Sequence, residues 1–95
     1  MDKNTGVVVT TERRGVFFGY LVEEIGDGQT VILTDCRNVL FWDSSMHGFL
    51  GLAAQGPSSE CRVGPQVPQS TLLGVTSITK CTAAAIAAWE SEPWK

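Results

Sequence analysis

Apolar residues in the first half of the chain recur at the two-residue period of strands rather than the 3.6-residue period of helices. Val7-Val8-Val9-Thr10-Thr11 predicts a first strand, and the charged stretch Glu12-Arg13-Arg14-Gly15 predicts the turn that follows it. From Val16 to Val22 the alternation places Val16, Phe18, Tyr20 and Val22 on one face and Phe17 and Leu21 on the other, so both faces are apolar. Gly26-Asp27-Gly28 supplies residues that tolerate positive φ, and β-branched residues resume at Gln29 to Leu33, which predicts a hairpin. Its second strand either runs from Thr30 to Trp42 or breaks at the polar run Asp35-Cys36-Arg37-Asn38, which suits a bulge or turn. On an unbroken strand Val31, Leu33, Asp35, Arg37, Val39 and Phe41 share one face, opposite Ile32, Cys36, Leu40 and Trp42.

The second half is less regular. Asp43-Ser44-Ser45 offers helix N-caps ahead of Gly48-Phe49-Leu50-Gly51-Leu52-Ala53-Ala54, which predicts a short helix or compact loop near residues 46–54. Gln55 to Ser70, rich in Gly, Pro, Ser and Gln, is expected to be loop. Leu72 to Lys80 returns to strand alternation, with Leu73, Val75, Ser77 and Thr79 on one side and Leu72, Gly74, Thr76 and Ile78 on the other. Thr82 is placed to cap an alanine-rich helix near residues 83–91, ended by Pro93. These elements predict one α+β domain over residues 1–95: about five strands in a small antiparallel sheet or open barrel, a short central helix or loop, and one C-terminal helix.

Strands that are apolar on both faces, in so short a chain, imply a small barrel or a subunit interface. Self-association as a homo-oligomer is therefore expected, with Tyr20, Trp42, Trp89 and Trp94 as its aromatic contacts.

Composition narrows the function classes. At 95 residues and 10.2 kDa, with 43% apolar and 18% charged residues, the chain supports one modest core and lacks the composition of a disordered protein. The longest uncharged stretch, Val63 to Thr79, is interrupted by proline, glutamine and hydroxyl residues, so no segment reads as a bilayer span. Met1 to Thr5 has neither a basic region nor an apolar run, and a cytosolic location is expected. Three widely spaced cysteines, Cys36, Cys61 and Cys81, fit reduced thiols better than a disulfide framework. A net charge of −3, with the basic residues scattered, argues against nucleic acid as a partner.

Candidate chemistry is sparse. Gly51 to Gly56 has the glycine spacing of a phosphate-binding P-loop, but Pro57 stands where that loop requires its lysine. The backbone amides of Gly48, Gly51 and Gly56, with Arg62 and Arg37 nearby, remain a candidate nest for a small anionic ligand. His47 is the only histidine, and Asp43, Ser44 and Ser45 beside it read as a capped turn rather than a hydrolytic triad. Cys36, Cys61, Cys81 and His47 lack the close spacing of a zinc site, so neither metal nor cofactor is expected. Cys36 with Arg37 beside it, or His47, would carry the chemistry of a small enzyme, the alternative to a non-catalytic protein.

Several segments together resemble an uncharacterised family of small phage and prophage proteins: Gly15-Val16-Phe17-Phe18-Gly19, Leu33-Thr34-Asp35-Cys36-Arg37 with Phe41-Trp42, Gly48 to Pro57 with its Gly-Leu-Ala-Ala-Gln-Gly-Pro run, Cys61 to Pro65, Gly74-Val75-Thr76, and Ala88-Trp89-Glu90 with Pro93-Trp94. The resemblance implies a phage or prophage origin and a bacterial host cytoplasm, and it carries no catalytic residues to transfer. It implies an accessory protein that acts by binding, as a counter-defence factor that sequesters a small anionic ligand or nucleotide or blocks a host protein. A purely structural, self-assembling phage component is the other non-catalytic reading.

Overall fold

The computed structural model describes residues 4–12, 15–42, 44–46 and 48–91. The elements are β1 (Gly6–Thr11), β2 (Val16–Ile25), β3 (Thr30–Phe41), a 3-10 turn (Ser44–Met46), α1 (Phe49–Gln55), β4 (Arg62–Val63), β5 (Val67–Leu73), β6 (Val75–Lys80) and α2 (Ala83–Ser91). Among the described residues they form an unclosed antiparallel sheet of six strands with helices against one face. That is the expected β-rich α+β architecture.

β1, β2 and β3 make a meander. The outer edge of β3 is lined first by β5, along Thr30 to Cys36, and then by β4, at Val39 and Phe41. β6 lies on the opposite border, along β1. Only Gly74 separates β5 from β6, and its φ of 64° lets the segment bend where an L side chain would be strained. One stretch of chain thus edges β3 with its first half and β1 with its second. Across the bend, the Val75 N–H donates to Gln29 O (3.0 Å) and the Glu12 N–H donates to Gly74 O (2.9 Å), pinning both hairpin ends.

Two expectations are corrected here. Arg62–Val63 and Val67 to Ser70, read as loop, are strand. Pro68 does not prevent this, because β5 pairs only with β3 and a residue without an N–H is tolerated on such an edge strand. Leu72 to Lys80, read as one alternating strand, changes phase twice, at the Gly74 bend and at a bulge where Ser77 pairs with Thr10 but Val75 with Thr11, so that Leu72, Val75 and Ile78 all reach the same core.

The bulge anticipated near Asp35 is present. Tyr20 pairs with Thr34 and Phe18 with Arg37, so Asp35 and Cys36 together oppose Gly19. Asp35 takes a left-handed φ of 49°. A Cβ on Gly19 would sit 2.9 Å from Leu33 Cβ and 3.2 Å from Thr34 O, so the bulge closes only over a glycine. The bulge also shifts the faces of β3. Val31, Leu33 and Cys36 lie on one core and Val39 on the other, whereas an unbroken strand would keep Val31, Leu33 and Val39 together.

Both apolar faces are covered within one chain. On one, Val8, Val16, Phe18 and Val39 are sealed by α1 and α2; on the other, Val7, Val9, Leu21, Val31, Leu33 and Cys36 are sealed by Leu72, Val75 and Ile78 of the bent β5–β6 segment. The double-faced hydrophobicity therefore does not by itself call for a partner copy. The helices are locked to each other end to end. Thr82, the predicted cap, accepts the Ala85 N–H (3.0 Å) and donates to Ala54 O at the end of α1 (2.7 Å).

Trp89, on the buried side of α2, is 0% exposed and stacked on Phe18 with centroids 4.6 Å apart, its Nε1 donating to Leu52 O of α1 (3.2 Å). Trp89→Ala is expected to cost about 3–5 kcal/mol of stability. Chemical denaturation measures it. A loss below about 1 kcal/mol would show that the helices do not depend on this contact.

Candidate functional site

The glycines of the central segment serve packing. The Gly51 N–H donates to Gly48 O (3.2 Å) and the Gly56 N–H to Leu52 O (3.0 Å), so neither amide is free to meet an anion. A Cβ on Gly51 would lie 1.5 Å from Met46 O, and one on Gly56 2.5 Å from Ala88 Cβ and 2.9 Å from Ala85 O. Gly51 thereby lets α1 abut the 3-10 turn, and Gly56, at φ 81°, lets α1 end against α2. Gly48 alone has open space where a side chain would be. The anion nest expected from Gly48, Gly51 and Gly56 is thus corrected: two of its three members are committed to the protein's own backbone.

Arg37 and Arg62 are not equivalent. Arg37 is half-buried on β3, and its guanidinium reaches Gly64 O (3.5 Å) and Gln66 Oε1 (3.3 Å), bracing the connection from β4 to β5. The bulge places Asp35 out of the alternation it would share with Arg37, so the expected same-face pair does not form. Arg62 is exposed on β4, opposite Phe41, and with Leu40 and Phe41 it lines a shallow, open cleft. Leu40 is 64% exposed and Phe41 50%.

Of the aromatic residues expected at an interface, Trp89 is corrected: it has no surface to offer. Tyr20 is half-buried, edge-on to Phe18, and its hydroxyl donates to the Glu90 carboxylate, tying α2 to the sheet. Burial, then Glu90, raises its phenol pKa above the ordinary value. Trp42 is half-buried against the helix-side core. Trp94 lies outside the described residues, as do His47 and Asp43.

The three cysteines are buried, Cys36 in one core and Cys61 and Cys81 in the other, on opposite faces of the sheet. Among the described residues no cluster has the makings of a metal site. Burial pushes the Cys36 thiol up to about 11 and the Cys81 thiol up to about 12, so both are protonated near neutral pH and poor nucleophiles.

Leu40 and Phe41 are what the sequence reading missed as surface. β3 here runs past its last pairing with β2, at Phe17 and Asn38, and a bulge against β4, where Val39 pairs with Val63 but Phe41 with Arg62, breaks the alternation so that both side chains line the same cleft.

The fold and this exposed cleft define a small β-rich α+β domain. By sequence it belongs to a family described as a domain of unknown function (DUF6948), whose model matches residues 4–89. No curated protein and no solved structure matches the chain. Among the described residues no helix is long and apolar enough to cross a membrane.

The thiols predict a pH dependence with a definite sign. Their ordinary value is 9.0, so between about pH 9 and 11 to 12 the unfolded chain sheds protons that the folded chain retains. Stability should be fully present below pH 9 and fall as pH rises through that window. Denaturation midpoints at pH 8 and pH 10.5 check this, and replacing Cys36 and Cys81 with alanine should flatten the difference. A midpoint that rises with pH would contradict it.

Proposed function

We propose that the protein is a non-catalytic accessory factor of phage or prophage origin that self-associates and acts by binding in the cytoplasm of a bacterial host. The observation that carries this reading is the pair of large apolar side chains, Leu40 and Phe41, left more than half or half exposed beside the exposed Arg62. Aromatic and aliphatic groups ringed by an arginine make the composition of a contact surface. The cleft is shallow and open, which suits a protein contact better than enclosure of a small molecule. Counter-defence by blocking a host protein is thus favoured over sequestration of a small anionic ligand, for which Arg62 is the cation at the cleft, Arg37 being engaged with Gly64 and Gln66. The buried, protonated Cys36 and Cys81 weigh against the cysteine-enzyme alternative.

Native mass spectrometry of the protein taken from cells reads copy number and retained ligand together. Self-association is expected, and Leu40→Ser with Phe41→Ser should reduce it while leaving the thermal melt near that of the unchanged chain. A retained anion released by Arg62→Ala, with assembly intact, would favour sequestration instead. A closed assembly that holds no ligand and engages no host protein would favour the structural reading. A monomer at every concentration, with nothing bound, would overturn the proposal.

A further inference from the structure

A second apolar surface lies on the sheet beyond the reach of the helices. Ile25 pairs with Thr30, which pairs with Leu73; one step along, Glu23 pairs with Ile32, which pairs with Thr71. Residues directly opposite across a ladder project to the same side, so each trio is one row on one face. The alternate residues Val31, Leu33 and Leu72 fill the buried core, so these two rows face outward. Leu73 is 70% exposed and Ile25 43%. The surroundings are acidic. From Glu23 to Cys36 the charged residues are Glu23, Glu24, Asp27 and Asp35, with no lysine or arginine, and β5 carries no charge at all.

The two apolar surfaces thus carry a charge of opposite sign directly beside their apolar residues: Glu23 beside Ile25, the half-buried Ile32 and Leu73, and Arg62 beside Leu40 and Phe41. They occupy different places, the first on β2, β3 and β5 at the start of β3, the second on β3 and β4 at its end. We propose that the occupant of the acidic surface is a second copy of this chain, presenting its Leu40–Phe41–Arg62 surface. The contact is head-to-tail, with apolar groups meeting and Arg62 of one copy facing Glu23 of the next. Like charges would meet if either surface paired with itself, which disfavours a two-fold contact. A head-to-tail contact leaves one surface of each kind open at the ends, so assembly continues until it closes into a ring or extends as a chain. This rests on the self-association proposed above and specifies its geometry.

Charge reversal tests it. Arg62→Glu and Glu23→Arg are both at exposed positions, and each alone is expected to weaken self-association about tenfold or more. Each variant keeps one working surface. Mixed, the native surfaces pair with each other and so do the reversed ones, so the two variants should co-assemble at one-to-one stoichiometry in sedimentation or native mass spectrometry though neither assembles alone, and the variant carrying both changes should associate again. Leu73→Ser should weaken assembly without any charge change. The inference is overturned if Arg62→Glu weakens assembly while Glu23→Arg and Leu73→Ser leave it unaltered, which would mean a symmetric contact through the end of β3. It is equally overturned if the mixture yields no mixed assembly. Both results leave self-association standing, whereas a monomeric unchanged chain removes the reading on which the inference rests.

Discussion

The flat stack of Trp89 on Phe18 is the contact on which the helix-covered half of the molecule depends. It joins the central meander strand to the C-terminal helix, and the indole N–H reaches through to Leu52 O of the other helix. A large ring buried without a partner for its N–H would be a liability; here the donor is spent on a carbonyl of the neighbouring helix. Around it the constraint spreads. α1 and α2 must approach closely, so Gly56 faces Ala85 and Ala88, and Thr82 bonds both helices at once. The small residues of the central segment follow from that approach.

The opposite face is closed by different means. A single segment, bent at Gly74, borders β3 and β1 in turn and lays Leu72, Val75 and Ile78 over the second core. Sealing a two-faced sheet this way uses no further helix, which a 95-residue chain can ill spare. It leaves uncovered the places that neither the helices nor the bent segment reach. Those places, at the two ends of β3, carry Ile25 and Leu73 with Glu23, and Leu40 and Phe41 with Arg62, the residues on which the functional reading rests. Surface for binding is in this sense a by-product of how the two cores are shut.

The residue types matter as much as their positions. Thiols in both cores are held protonated by burial, which makes them packing groups rather than reagents. Arg37 is engaged with Gly64 and Gln66, whereas Arg62 stands exposed beside Phe41, so of two arginines that look alike in sequence only one is at the surface of the cleft.

Local pattern alone located β1, β2, the hairpin into β3, the short central helix and α2, because strand alternation, the Gly26-Asp27-Gly28 turn and the Thr82 cap act between residues close in the chain. It also marked Asp35 to Asn38 as a site of irregularity. The tertiary structure decided the rest. Whether Pro68 sits in a strand depends on β3 being there to pair with it; whether Leu72 and Val75 share a core depends on the bend at Gly74; whether Trp89 is surface or centre depends on Phe18, seventy-one positions earlier in the chain. Each of these is set by contacts between distant segments, and periodicity within a segment holds no record of which neighbour will cover it.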